Sequence, residues 1–365
     1  MNAIITPVIT NIRFRGDFLY LKFAMKRLFW GGFSFICIIL MYACVLNAKV
    51  EATAWADVVS MVQGFMQSEE AKKIPEEDLT AAKKRVEQQA ISLYGLDRPM
   101  MIRILELTKD ALLFDFGKTS FQAKTGLMKI STIVWDASKK SLLLFVTTSA
   151  LCFWFGLILG KKKAIHTGSF FDKMSTVLTM IFFGTPAWWV ANLFIYFFVY
   201  QQRLFPYGVF HSSPIPVGFI PYVLDSLYYL SLPILTLLIV GFWGTAYIVK
   251  NILLKNLGED YIMSARARGL PEPKVVHNHA LRSAAPPIVT MGLLSLATAF
   301  AGNIVVEIVY AYNGLGLLLW QAIRANQIKV MMAALVAITL IYCAALIILD
   351  LIYGFLDPRI NYHPK

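Results

Sequence analysis

Two short stretches carry residue types that cradle phosphate: Gly156-Leu157-Ile158-Leu159-Gly160-Lys161-Lys162 and Gly117-Lys118-Thr119. A nucleotide loop of the form Gly-x-x-x-x-Gly-Lys-Ser/Thr needs its full spacing to wrap the phosphates and its hydroxyl to hold magnesium. The first stretch is one residue short between its glycines and has no hydroxyl, and the second lacks the leading Gly, so neither can hold ATP. His277 and His279 are candidate metal ligands by type, but a spacing of two on a helix points them to different faces, and no metal site is expected. No His-Glu-x-x-His or Gly-x-Ser-x-Gly occurs, so no catalytic residue is assigned. Glu307 and Asp350 are acids near the ends of apolar segments, where an ionisable group is a functional candidate by default. Each reads either as a structural ion partner or as part of a substrate path.

The elements that position these residues follow from composition. Of 365 residues, 58% are apolar and 15% charged, far from the soluble balance of about half and a quarter. This is the composition of an integral membrane protein. Its charges cluster and leave six apolar segments at 28–46, 141–160, 174–200, 226–249, 288–311 and 330–353. Each meets the roughly 20 residues needed to cross about 30 Å of hydrocarbon, and only an α-helix satisfies its own backbone there. The expected fold is all-α, with six transmembrane helices and kinks at Pro186 and Pro233. Gly156 and Gly160, a small-xxx-small pair, read as a close helix contact.

Lys and Arg concentrate in the arm 1–27, the loop 161–173, the loop 250–285 and the C-terminal tail 357–365. With the few flanking residues these segments hold 17 Lys/Arg against 6 Asp/Glu. By the positive-inside rule these parts and both termini are cytoplasmic. The net charge of +12 therefore reports topology and gives no reason to expect nucleic acid as a partner. Cys37, Cys44, Cys152 and Cys343 all fall in spans without paired spacing, so neither a disulfide nor a metal framework is expected. The first span, 28–46, exceeds the apolar core of a signal peptide and reads as a retained signal anchor.

Residues 47–140 form an extracytoplasmic insertion, with 12 Lys/Arg and 13 Asp/Glu between Lys49 and Asp136. A helix is expected from Pro75 through Gln89, packing along Leu79, Ala82, Val86 and Ala90. This insertion reads either as a solvated loop with a docked helix or as a surface that meets a binding protein. Residues 141–356 form the five-helix core that holds the loop 250–285.

That loop encodes its own shape. Glu259 and Asp260 favour a helix start, Arg266 and Arg268 its last turn, and Gly269 the residue after it. Pro271 and Pro273 then pre-set a second short helix up to Pro286. Two short helices make a rigid knob, which matters because a switch from 1:99 to 99:1 needs about 5.5 kcal/mol of differential binding. Leu270, Val275 and Val276 are expected as its exposed apolar contacts, framed by Glu272 and Lys274.

The order Ala265-x-x-x-Gly269 followed by His279-Ala280-Leu281-Arg282 resembles the cytoplasmic loop of ABC importer permeases of the dipeptide, oligopeptide and nickel family. Leu96-Asp97-Arg98-Pro99, Phe114-Asp115-Phe116-Gly117, Gly184-Thr185-Pro186-Ala187-Trp188-Trp189, Glu307 with Asn313-Gly314-Leu315-Gly316, and Leu356-Asp357-Pro358-Arg359-Ile360 match in order over roughly residues 90–361. The family's Pro-Gly-Asp-Pro after the first span is missing at Asn47, and its usual Pro is Asn313 here. The resemblance implies a type I importer permease in a prokaryotic cytoplasmic membrane, working with a second homologous permease, two ABC ATPases, an extracytoplasmic binding protein and membrane lipid. ATP and Mg would sit in the ATPases, with no cofactor on this chain. Ala265, Gly269, Leu270, Glu272, Pro273, Lys274, Val275, Val276, His279 and Arg282 become the ATPase-coupling candidates, and Pro186, Trp189, Asn303 and Glu307 the translocation-path candidates. Peptides are the default cargo, with nickel chelates or oligosaccharides as alternatives. A self-contained secondary transporter is the weaker reading, since it would more typically show ten or more spans with paired broken helices.

The topology is tested by single cysteines on a cysteine-free background. A membrane-impermeant thiol reagent added to intact cells should label position 80 and spare position 278; the reverse pattern would invert the assignment.

Overall fold

The computed structural model describes residues 2–68, 71, 74–121, 126–208, 216–302 and 304–356. Its elements are α1 (Asn2–Gln67), α2 (Glu76–Leu93), α3 (Met100–Leu112), β1 (Lys118–Thr119), β2 (Met128–Lys129), α4 (Ile130–Ile165), α5 (Phe170–Gly184), α6 (Ala187–Phe194), α7 (Phe219–Leu257), α8 (Asp260–Ala267), α9 (Glu272–Val275), α10 (Leu281–Gly302), α11 (Ile304–Val309), α12 (Leu315–Arg324) and α13 (Ile328–Leu356). Short π-helical turns follow α6 at Ile195–Gln201 and α9 at Val276–Ala280. The protein is built from helices, as expected. Four of them, Leu21–Gln67, Ile130–Ile165, Ile220–Leu257 and Ile328–Ile352, are long and apolar enough to cross a membrane, and Phe170–Gly184 with Ala187–Gln201 meets the same length and composition only as a bent pair, a broken span or a re-entrant loop. The sixth expected segment, 288–311, falls on α10 and α11, on either side of residue 303.

Two expectations about where helices bend or end are corrected. The span 174–200 breaks after Gly184 and turns by 96°. Thr185 precedes a proline and is pushed out of the helical region to φ −89°, ψ 122°. Its hydroxyl then bonds the Ile181 carbonyl at 2.6 Å, satisfying an acceptor that the break would orphan. In the other direction, the second short helix of the loop does not end at Pro286. It passes through the π-helical turn into α10, with Pro286 and Pro287 inside that helix. Pro233 likewise lies inside an uninterrupted α7.

The chain divides into two compact units. One contains residues 32–135 and 321–339. There Tyr42 shares a 3.1 Å hydrogen bond with Thr339, and Arg103 of α3 donates to Glu51 of α1 at 2.7 Å. α2 starts after Pro75, as expected, and turns Ala90 fully inward with Leu79, Ala82 and Val86 half-buried. The β1–β2 hairpin pairs Lys118 with Lys129 and Thr119 with Met128.

The other unit contains residues 1–31, 136–320 and 340–365. Two apolar cores among the described residues lie at opposite ends of α4 and α7. One gathers Leu144, Ala191, Ile195, Leu230, Ile234 and Tyr310; the other gathers Ala164, Val249, Leu253, Ile262, Val276 and Ala284. Between them α4 and α7 touch closely. A Cβ on Gly156 would stand 2.5 Å from the Thr245 side chain, and one on Gly160 would stand 2.7 Å from the Ala246 carbonyl oxygen. Neither clash is relieved by rotating a side chain, because the Thr245 Cβ stands 2.6 Å from the Gly156 position and the Ala246 carbonyl is backbone. Gly160→Leu should lower the thermal unfolding temperature in detergent, by overpacking of about 1–3 kcal/mol. Gly32→Leu serves as the control, because nothing lies within 4 Å of its Cβ position; equal effects of the two substitutions would refute the close-contact reading.

Candidate functional site

The loop between α7 and α10 folds as its sequence indicates. Glu259 is the N-cap of α8 at φ −78°, ψ 149°, Arg268 is its C-cap, and Gly269 follows at φ +77°. The Gly269 N–H donates to the Arg266 carbonyl at 2.8 Å. No atom lies within 4 Å of a Cβ placed at Gly269. The turn therefore demands glycine for its backbone angle alone and not for space.

What closes the turn is a pair that the sequence reading left unjoined. Arg266 grips Glu272 with two hydrogen bonds, Nη2 to Oε1 at 2.6 Å and Nε to Oε2 at 3.0 Å, and reaches the Leu257 carbonyl with Nη1 at 3.4 Å. These bonds hold the Glu272 carboxyl below the usual glutamate range and raise Arg266 further. A depressed carboxyl stabilises the fold above its unfolded pKa and ceases to do so on acidification. Both side chains are well exposed, so the contribution is under about 1 kcal/mol.

Burial sorts the coupling candidates into two groups. Ala265, Val275 and Val276 are fully enclosed, with Leu270 and His279 half-buried. The expectation that Val275 and Val276 are exposed contacts is thus corrected. A knob of so few residues needs an apolar underside to sit on the membrane helices, and these valines form it together with Ala164 of α4 and Val249, Leu253 and Leu257 of α7. The outward surface instead carries Met263, Ala267, Arg268, Pro273, Lys274 and Arg282, with Met263 60% exposed. Lys161, at the end of α4, donates to His277 Nδ1 at 3.1 Å and ties the two basic loops together. The His277/His279 spacing keeps the two apart: His277 is exposed at that bond, and His279 is half-buried.

Of the translocation-path candidates, Pro186 and Trp189 lie on the broken element whose α6 shares a core with α11, the helix that carries Glu307. Pro186 caps α6 at the broken span, and Trp188 and Trp189 are about half exposed beside it. Asn303 lies outside the described residues, as do Asp357 to Ile360 of the C-terminal motif. Glu307 is fully enclosed. Its Oε1 accepts from the Ser141 hydroxyl at 2.5 Å, and its Oε2 accepts from the Gly316 N–H at 2.7 Å and the Leu317 N–H at 3.4 Å. Ser141 in turn accepts from the Leu315 N–H at 2.8 Å. The first turn of α12 leaves N–H groups that its own chain cannot satisfy. Gly314, just before it, has no side chain to offer, so a carboxylate from α11 and a hydroxyl from α4 cap the helix instead. A Cβ on Gly314 would fall onto that carboxylate. Asp350 pairs with Arg27 at 3.2 Å, so both acids are structural partners in this arrangement.

Comparison with known proteins settles the family. A model described as the binding-protein-dependent transport system inner membrane component matches residues 153–362, more than half the chain. The chain belongs to this family. It is a multi-pass inner-membrane permease component, of a kind that associates with ATPase and substrate-binding partners. Similar proteins include the inner membrane ABC transporter permease protein YejB of Escherichia coli O157:H7, 29% identical over 74% of this chain and 75% of the relative. The dipeptide transport system permease protein DppB of Bacillus subtilis is 28% identical over 77% of this chain and 85% of the relative. A peptidoglycan transport system permease protein YejB of Agrobacterium fabrum is 26% identical over 77% and 76%. The matched region begins inside α4 and takes in the broken span, the loop and Glu307 with the start of α12, but not Ser141.

The cap makes a separable prediction. Glu307→Leu strands the donors of Ser141, Gly316 and Leu317 and should destabilise the purified protein, at about 1–3 kcal/mol for a buried donor left unsatisfied. Gly314→Val should destabilise it in the same direction. If thermal unfolding of both variants matches wild type while peptide uptake alone falls, Glu307 belongs to the substrate path instead.

Proposed function

We propose that this chain is the translocating subunit of an ATP-driven importer that carries di- or oligopeptides inward, with ATP bound and hydrolysed on separate subunits. The observation that carries the reading is the loop 260–282: a closed two-helix knob whose apolar underside is seated on α4 and α7 and whose other face offers Met263, Lys274 and Pro273 outward. Such a piece can pass force from a soluble partner to membrane helices because it is anchored by packing and cannot move independently of them. The same surface is the proposed contact for an ATPase on the cytoplasmic side. A second homologous permease subunit, two ATPases with their Mg, and an extracytoplasmic binding protein complete the proposed assembly, with both termini of this chain in the cytoplasm.

The cargo follows from relatives whose names specify dipeptides, peptides and peptidoglycan. These favour peptide-containing substrates over nickel chelates or oligosaccharides. Pro186 and Trp189 at the broken helix remain proposed path residues, and the exposed Trp188 beside them joins the proposal.

The test is to copurify the chain with its ATPase and reconstitute the complex. The chain alone should show no ATP hydrolysis, and peptide-loaded binding protein should stimulate the complex where metal chelates or sugars do not. Met263→Asp, on the outward face, should weaken ATPase capture about tenfold or more, as loss of a central apolar contact does. ATP hydrolysis by the isolated chain, or undiminished capture by a Met263→Asp/Lys274→Asp variant, would overturn the assignment.

A further inference from the structure

Beside the loop's apolar seat lie three charged side chains that neither the family match nor the loop accounts for. Lys163 and Lys250 directly adjoin Ala164 and Val249, which both belong to the core beneath the loop. Asp172, in the first turn of α5, accepts from Lys250 Nζ at 2.7 Å on each oxygen and from the Gly168 N–H at 3.0 Å. Its own N–H is capped by Ser169 Oγ at 3.2 Å. Lys163 is fully enclosed, yet its ammonium has no hydrogen-bond partner among the described residues and lies 5.9 Å from the centre of the Tyr247 ring. The half-buried Lys250 thus holds the buried Asp172 by hydrogen bonds, while the enclosed Lys163 acts on the same carboxylate only through its charge.

A buried ammonium without a hydrogen-bonded counter-ion is among the least favourable arrangements in a protein interior. An arrangement of that kind fits one state of a switch better than a permanent structure, because a small shift can exchange the paired and unpaired cations. The three elements involved give such a shift a direction. α4 and α7 form the seat of the loop, and α5 is the first half of the span that breaks at Pro186. Asp172 is the ionic tie from that half-helix to the seat.

We propose that Asp172 is a positioning residue through which movement of the loop 260–282 reaches the broken span, its carboxylate passing from Lys250 to Lys163 as the seat shifts. The proposal rests on the loop being the ATPase contact. Lys250 holds α5 in the arrangement seen here, and Lys163 waits as the alternative partner.

The test uses the full importer in proteoliposomes, reading peptide uptake, ATP hydrolysis with and without binding protein, and the amount of ATPase retained. Lys163→Met removes the alternative partner and also an uncompensated buried charge, so the variant should insert and assemble normally. Uptake should fall roughly tenfold, and binding protein should no longer stimulate hydrolysis, a coupling loss within the usual range for communicating sites. Lys250→Met should act with the opposite sign on hydrolysis without binding protein, raising it several-fold, because the carboxylate then rests on Lys163. Asp172→Asn should lower uptake in either background. Lys163→Met with uptake and stimulation within twofold of wild type would overturn the exchange. Failure of the wild-type chain to retain its ATPase would instead overturn the loop reading, so the two failures are distinguishable.

Discussion

The contact between α4 and α7 is the constraint from which the functional end of this protein is built. Gly160 lets α4 approach the Ala246 carbonyl of α7 closer than any side chain permits. That approach brings Ala164 beside Val249 and Leu253, and those three residues make the floor on which Ile262, Ala265, Val275 and Val276 sit. Without the floor, the two short helices between α7 and α10 would have nothing to bury. A helix of eight residues is marginal in water, and its stability must come from packing. The crossing therefore decides whether the loop is a rigid part or a tether.

The loop's polar connections work at a different level. The Arg266–Glu272 pair and the Lys161–His277 bond are exposed and contribute little energy. They fix which way the knob faces: Arg266 joins the end of α8 to the start of α9 and to the Leu257 carbonyl at the end of α7, and Lys161 joins α4 to the turn after α9. Apolar burial holds the loop down while these bonds set its orientation, so the outward surface is presented at one angle.

The loop was largely legible in the sequence because its signals are local. Acids before a helix, Gly269 after it and prolines at the next start each act within a few residues, and all are found where expected. The Gly156/Gly160 spacing was legible for the same reason. The break at Thr185 was not, since a proline in an apolar run kinks one helix and splits another, as the uninterrupted α7 through Pro233 shows. The orientation of Val275 and Val276 was hidden because hydropathy marks a residue as apolar without saying whether membrane helices or a partner protein covers it. The Glu307 cap was out of reach entirely: its partners are 166 and 9 residues away, and nothing in a Ser or a Gly announces such a meeting.

That cap also imposes an order in time. Ser141 is made long before its partners, with Leu315 174 residues later in the chain. At about 5–20 residues per second, roughly ten to thirty-five seconds pass between the two during synthesis. For nearly all of that interval Ser141 carries a hydroxyl whose native partners, Glu307 and Leu315, do not yet exist, and the half-made permease must keep it wet or borrow another bond. The start of α12 is therefore the closing stitch of this subunit, and a chain arrested before Gly316 is unfinished at α4 as well as at its end.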